Sequence, residues 1–218
     1  MVNTVSQSIP AYPLVRHAPR VMAHNNDTRE FPMAENASRT PDLLLHAAEL
    51  MAECGFAGMS MRQLAARCGL QSGSLYHHVA SKQDLLLDVL LEVLAQRLAA
   101  WHNGSFSRDV PGYLRFLLAR QRSHPHEDLL LRHEARHLTS DQWHWLDKAQ
   151  GRLRAPLLTF IDQGRRGTPL PSTGRACASE AIFALVETAH GLRRRPGPVD
   201  EAGIEAWLIQ ASTAVLGA

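Results

Sequence analysis

The sequence predicts an all-α chain, and three observations carry the prediction. Apolar residues recur at three- and four-residue steps from Leu44 to Val215, the period that lines one face of a helix. No period-two alternation, which a half-buried strand would need, competes with it. Glycine and proline gather where the helical runs stop, at Gly164, Gly167, Pro169 and Pro171 and again at Pro196, Gly197 and Pro198, so the breakers separate helices.

Residues 1–38 lie outside this pattern. Pro10, Pro13, Pro19 and Pro32 stand among Asn, Ser, His and Arg without a sustained period, which predicts a disordered tail. Arg16, Arg20, Arg29 and Arg39 leave a second reading open, a basic arm following a minor groove.

Order is expected to begin at Thr40, Pro41 and Asp42: a capping residue, a proline whose missing N–H is harmless in the first turn, and an acid that suits the helix dipole. Leu44, Ala47, Ala48 and Met51 form the buried stripe, and Gly55 ends the helix before Phe56 and Met59 turn back. Ser60 caps a second helix that carries Met61, Leu64, Ala65 and Cys68 inward. Gly69 stops it in the left-handed conformation, and Leu70 anchors the turn. A third helix begins near Ser72 and buries Leu75 and Val79, leaving Ser72, Gly73, Ser74, Tyr76, His77 and His78 on its outer and flanking surfaces. Two helices across a tight glycine turn, the second with a slim polar face nearly free of acids, meet the needs of a recognition helix in a major groove. The same residues also fit an amphipathic hairpin inside a larger core.

This stretch resembles the DNA-binding module of the TetR family of bacterial transcription regulators. The resemblance rests on Ser60, Leu64 and Ala65, Gly69 and Leu70, Gly73 with Ser74, Leu75 and Tyr76, His78, and Lys82 followed by Leu85, all at the family's spacings without a gap. Gln71 departs from the family's usual Ser or Thr, which moves the expected cap to Ser72, and Val79 replaces a common Phe. The resemblance implies a helix-turn-helix domain over 39–86 that touches DNA through Ser60, Arg62, Gln71, Ser72, Gly73, Ser74, Tyr76, His77 and Lys82, with Tyr76 and Lys82 on phosphates. It further implies a repressor that binds an inverted-repeat, double-stranded DNA operator as a homodimer, answers to a small-molecule effector, and needs neither cofactor nor metal.

Ser81, Lys82, Gln83 and Asp84 open a long helix through Leu85, Leu86, Val89, Leu90, Val93, Leu94 and Leu98 to about Trp101. So wide an apolar stripe predicts a helix shared by two subdomains, and hence their mechanical link. After His102, Asn103 and Gly104, helices are expected over 110–123, 127–138, 140–164, 172–194 and 199–216, making 102–218 a ligand-binding and dimerisation domain. The last two carry apolar repeats at Ile182, Leu185, Val186 and Ala189 and at Ile204, Trp207, Leu208, Ala211 and Val215. Ala178, Ala181, Ala184, Thr188 and Gly191 admit a close partner helix; the resemblance implies a twofold four-helix bundle there, and an intrachain core is the other reading. Arg193, Arg194 and Arg195 are expected to complement a helix C-terminus and face water.

The effector site is expected among the aromatic residues of the central segment. Trp101, Tyr113, Phe116, Trp143 and Trp145, with Arg120, Glu134 and Arg152, supply the apolar walls and few charged groups of a small-molecule pocket; plain core is the alternative. A weaker resemblance to TetR-like regulators of acyl-CoA metabolism hints at a hydrophobic or acyl-CoA-like effector. The rival motif is His133-Glu134-Ala135-Arg136-His137, since HExxH on a helix can hold zinc with the glutamate as general base. Against a hydrolase or metal sensor stand only three fixed positions, 12 histidines that raise chance matches, and no third ligand at a helix-borne spacing.

The totals are ordinary. With 218 residues, 45% of them hydrophobic, the chain can bury a core, and a net charge of +2 means that any nucleic-acid role rests on local placement of cations. Cys54, Cys68 and Cys177 are scattered among apolar residues, as buried thiols in a reducing compartment would be, with redox sensing as the minority reading. No apolar run is long enough to span a bilayer, and the N-terminus lacks the charged start and apolar block of a signal peptide, so a cytoplasmic protein without a membrane partner is expected.

Overall fold

The structure is a computed structural model that describes residues 41–164, 170–193 and 200–217, all within one unit, Ser38–Ala218. The expected tail with its four arginines, the Thr40 cap, Gly167 and Pro169, Arg194 and Arg195, and Pro196, Gly197 and Pro198 lie outside the described residues. Every regular element among the described residues is helical: α1 (Pro41–Gly58), α2 (Met61–Arg67), α3 (Ser72–His78), α4 (Lys82–Asn103), α5 (Val110–Ser123), α6 (Pro125–Leu129), α7 (Ser140–Gly164), α8 (Ser172–Arg193) and α9 (Glu201–Leu216). The fold is all-α, an N-terminal helix-turn-helix followed by a larger helical part.

Local chemistry sets most boundaries. The Ser81 side chain accepts the Asp84 N–H and opens α4, while Asp109 accepts the Gly112 N–H at 2.7 Å and opens α5. Gly112 has no substitute, because a Cβ there would meet the Ser107 carbonyl oxygen at 2.1 Å. Helix α9 starts two residues later than its apolar period predicts, since Asp200 caps it by accepting the Gly203 N–H at 2.8 Å.

Two apolar cores form, and α4 contributes to both. The first joins α1 to α3 with α4 from Leu85 to Leu94, and also takes in Leu130, Ala135, Leu138, Leu146 and Leu153 from the central segment. The second gathers Trp101, α5, the later part of α7, α8 and α9. A helix sharing two cores transmits a tilt from one to the other, because close-packed interiors are stiff.

The expected single helix over 127–138 is broken. Helix α6 stops at Leu129, a π turn follows at Leu130–Glu134, and a 3-10 turn at Ala135–His137 completes the segment. Glu127 and Asp128 are buried at one end of the segment and Glu134 with Ala135 at the other; these pairs are seven residues apart and would share one face of a regular helix, and the π turn between them shifts that register.

Three further expectations change. Cys54 and Cys177 are exposed and Cys68 is half-buried, since the first two stand just off the inward stripes of their helices. Burial first, and Asp42 second, push the Cys68 thiol pKa up. Arg193 faces inward, not to water: its Nε donates to Glu201 at 2.7 Å and its guanidinium to the Gln121 side chain at 2.7 Å.

Candidate nucleic-acid interface and central pocket

Helix α2 is held by a reciprocal cap: Ser60 Oγ accepts the Gln63 N–H at 3.1 Å and the Ser60 N–H donates to Gln63 Oε1 at 2.8 Å. It ends at Gly69, where φ is 67°, and the Leu70 N–H returns to the Ala65 carbonyl at 2.8 Å, closing the turn that the sequence predicts. Helix α3 is then fastened from beneath by Leu75 and, just past its end, Val79, both fully buried. Its cap differs from expectation. Gln71 occupies the capping position without a side-chain bond, Ser72 is the first helical residue, and only the Gln71 carbonyl starts the hydrogen-bond ladder.

The outer face so produced is continuous. Ser60, Arg62, Gln71, Ser72, Gly73 and His77 are exposed, Ser74 is half-buried, and Tyr76 keeps 57% of its surface in solvent. Lys82, at the start of α4, extends the face; its Nζ lies 4.4 Å from the Phe56 ring centroid and 3.5 Å from the Ala57 carbonyl oxygen. A Cβ at Gly73 would meet no neighbouring element. Glycine inside a helix costs roughly 0.5–1 kcal/mol, and nothing in the chain's own packing requires it there.

The central part holds a cavity of about 270 Å³ between α4, α5, the π turn, α7 and α8. Leu94, Leu117, Leu131, Leu153, Phe183 and Val186 form its apolar wall, and Arg120, Arg132, Arg154, Gln121, Gln150 and Glu187 its polar one. A buried ion network forms part of this wall: Arg97 and Asp128 also line the cavity, Arg97 donates to Glu127 at 2.7 Å and to Asp128 at 2.5 Å, and Arg120 also donates to Glu127. Burial opposes the charge on Arg97, but Asp128 and Glu127 outweigh it and raise its pKa, so the guanidinium stays protonated.

Of the residues that the sequence assigns to an effector, Arg120 alone lines this cavity. Trp101, Tyr113 and Phe116 are core: the Trp101 ring meets Tyr113 edge-on at 4.8 Å and Phe116 at 5.4 Å, and the Tyr113 hydroxyl donates to the Leu153 carbonyl. Trp143 is 42% exposed on α7, Trp145 is half-buried there, and Arg152 is exposed. Glu134 is buried elsewhere, against the end of α1. The cations that sequence reasoning missed had a signal. Arg97 stands between Val93 and Trp101 at steps of four in the apolar stripe of α4, and an arginine inside such a stripe must find buried carboxylates.

The HExxH run does not keep helical geometry, because it straddles the junction of the π and 3-10 turns. His133 is exposed while Glu134 is buried, and among the described residues no three His, Cys, Asp or Glu side chains gather as a metal site would require. No described helix is long and apolar enough to cross a membrane.

His124, between α5 and α6, gives a pH test. Burial first, then Arg120, lower its pKa. The unfolded chain therefore takes up the proton first, and stability present above the ordinary histidine range is lost as pH falls through it. His124→Gln is expected to flatten that part of a denaturation midpoint against pH curve; an unchanged curve would refute the assignment.

Comparison with known proteins fits this geometry. Residues 43–89 match the family model of bacterial regulatory proteins, tetR family. The repressor KstR2 of Mycolicibacterium smegmatis is 39% identical over 61 residues, 28% of this chain and 30% of that protein. The regulator UidR of Escherichia coli K12 is 35% identical over 68 residues, 31% of this chain and 35% of its own length. The chain thus matches about a third of the length of these relatives. Among solved structures, the TetR-family regulator PfmR of Thermus thermophilus aligns over 80% of this chain and 97% of its own, with TM-score 0.56 and 22% identity. AibR in complex with isovaleryl coenzyme A and operator DNA aligns over 78% and 95% (TM-score 0.58, 17% identity), and FadR of Bacillus subtilis with stearoyl-CoA over 80% and 94% (TM-score 0.58, 14% identity); at these identities the likeness is one of fold. Residues 43–89 thus carry the helix-turn-helix of the bacterial regulatory proteins of the tetR family, and the all-helical fold around them is shared with solved regulators of that family.

Proposed function

We propose that this chain is a cytoplasmic, homodimeric transcriptional repressor that binds an inverted-repeat operator through α2, α3 and the start of α4 and is released by a small acyl or aromatic anion in the central cavity. The observation that carries the DNA reading is the outer face of α3. Gly73 keeps it slim without any packing reason of its own, and Tyr76 stays largely in solvent. Gln71, Ser74 and His77 read base edges, while Tyr76 and Lys82 hold phosphates. The head spans 39–86, α4 links it, and 102–218 forms the effector and dimer domain. Catalysis has no place in this reading; the HExxH glutamate is committed to a backbone N–H.

For the dimer, Cys177, Ala184 and Thr188 on α8 and Ala206, Gln210 and Thr213 on α9 face outward at steps of three to seven, a shallow face that a twofold copy can approach closely. For the effector, Arg132 and Arg154 stand beside an apolar wall, paired with Asp128 at 3.3 Å and with Glu180 at 3.1 Å, and an anionic head with a hydrophobic tail would compete with those carboxylates for them. A cavity of about 270 Å³ sits just under the roughly 300–1,000 Å³ usual for drug-sized ligands, which favours a short acyl group over a long one. The acyl-CoA ligands of AibR and FadR support the class.

The test is to select bound sequences from random duplex DNA and then to add isovaleryl-CoA, stearoyl-CoA or aromatic acids. Inverted repeats with half-site centres about 34–36 Å apart or slightly more are expected. Release by a short acyl-CoA, diminished in Arg132→Ala and Arg154→Ala without loss of operator affinity, supports the cavity; release that survives both places the effector elsewhere. Enrichment of single half-sites would refute the dimer.

A further inference from the structure

The HExxH run, left without chemistry, joins the cavity side of the chain to the nucleic-acid face. Glu134 is buried and its Oε2 accepts the Phe56 N–H at 2.9 Å. That N–H is available because α1 breaks at Gly55, where φ is 74°, so Phe56 lies beyond the regular ladder. The Phe56 ring meets the His137 ring at 4.9 Å and the Lys82 ammonium at 4.4 Å. A carboxylate from the central segment thus fixes the residue on which one cation of the DNA face rests. The same π turn places Leu131 and Arg132 in the wall of the cavity, only three and two residues before Glu134. Single π turns inside helical segments are rare and recur at functional sites.

We infer that Glu134 is a positioning residue through which the state of the central cavity reaches Lys82 and the end of α1, with the Leu130–Glu134 turn as the lever. An occupant that displaces Leu131 or Arg132 rotates the turn, draws Glu134 from the Phe56 N–H, and shifts Lys82 relative to α3. This rests on the effector reading, but its test needs no effector. Leu131→Trp fills the cavity from the turn itself, and operator affinity is measured for the wild-type chain, Leu131→Trp, Glu134→Gln and the double variant, on the site that the wild-type chain selects.

Leu131→Trp is expected to weaken operator binding about fivefold or more in the wild-type background and under about twofold beside Glu134→Gln. Hydrogen exchange at the Phe56 amide should quicken in both single variants. A purely structural Glu134 would lower the melting temperature yet leave the Leu131→Trp effect equal in both backgrounds, which would overturn the inference, as would slow Phe56 exchange in Leu131→Trp. If Leu131→Trp does not fold, Leu131→Phe replaces it in the same cycle. Coupling in the cycle together with failure of every acyl-CoA to release DNA would keep the lever and remove the effector reading instead.

Discussion

Arg97→Ala is expected to lower the unfolding free energy by about 3–5 kcal/mol, the cost of leaving buried carboxylates without their partner, and to lower the melting temperature by roughly 6–20 °C. Arg97, Glu127 and Asp128 are all nearly buried, so water cannot take the place of the guanidinium. What tempers the loss is redundancy. Arg120 still donates to Glu127, and Arg132 reaches Asp128 at 3.3 Å, which puts the expectation near the lower end. Removing one opposing charge as well, Arg97→Met with Asp128→Asn while Glu127 stays for Arg120, should recover part of the stability, because it is the unpaired charge that is costly. A loss below about 1 kcal/mol for Arg97→Ala would mean that the network is solvated, and the cavity wall would then be far wetter than its burial implies.

That network also ties α4 to α6 at the edge of the cavity. An anion that competes with Glu127 or Asp128 for arginine would loosen the linking helix directly, while the π turn acts on the end of α1. The two routes differ in their genetics: Arg97 variants change the fold's stability, whereas Glu134→Gln changes coupling.

The sequence displayed the head clearly and the cavity poorly, for physical reasons. Ser60, Gly69, Leu75 and Ser81 act on residues within a few positions of themselves, through caps, a left-handed turn and a buried stripe, and local chemistry is legible at local range. The cavity wall depends on pairs such as Arg97 with Asp128, 31 residues apart, and the contact of the central segment with α1 on Glu134 with Phe56, 78 apart, which no period reveals. Aromatic clustering misled because Trp101, Tyr113 and Phe116 share one helical layer and bury one another, while Trp143 sits on the outer side of its helix. The sequence predicts an unbroken helix after Leu129 because its residues are good helix formers, and nothing at local range marks the π turn at Leu130–Glu134.

Tyr76→Ala and Lys82→Ala together are expected to weaken operator binding by about a hundredfold at moderate salt, roughly tenfold each, as two independent charge-assisted phosphate contacts would. The two should separate by their salt dependence. Lys82 carries a charge whose binding releases counterions, so its removal should reduce the slope of log affinity against log salt by about 1. Tyr76 is neutral on the face and should leave the slope unchanged. The Tyr76→Ala loss cannot be blamed on unfolding of the head, since Tyr76 is 57% exposed and exposed substitutions usually shift stability by no more than about 0.5 kcal/mol. Lys82 is the less innocent of the two, because its ammonium also lies over Phe56, an interaction worth roughly 0.5–1 kcal/mol at exposed sites; Lys82→Arg should restore both the slope and the stacking. Gln71→Ala or His77→Ala should instead change which bases are selected while leaving the slope intact. If Tyr76→Ala bound its selected site as tightly as the wild-type chain, the outer face of α3 would not be the reading surface, and the basic approach through Arg62 and Lys82 alone would have to account for binding.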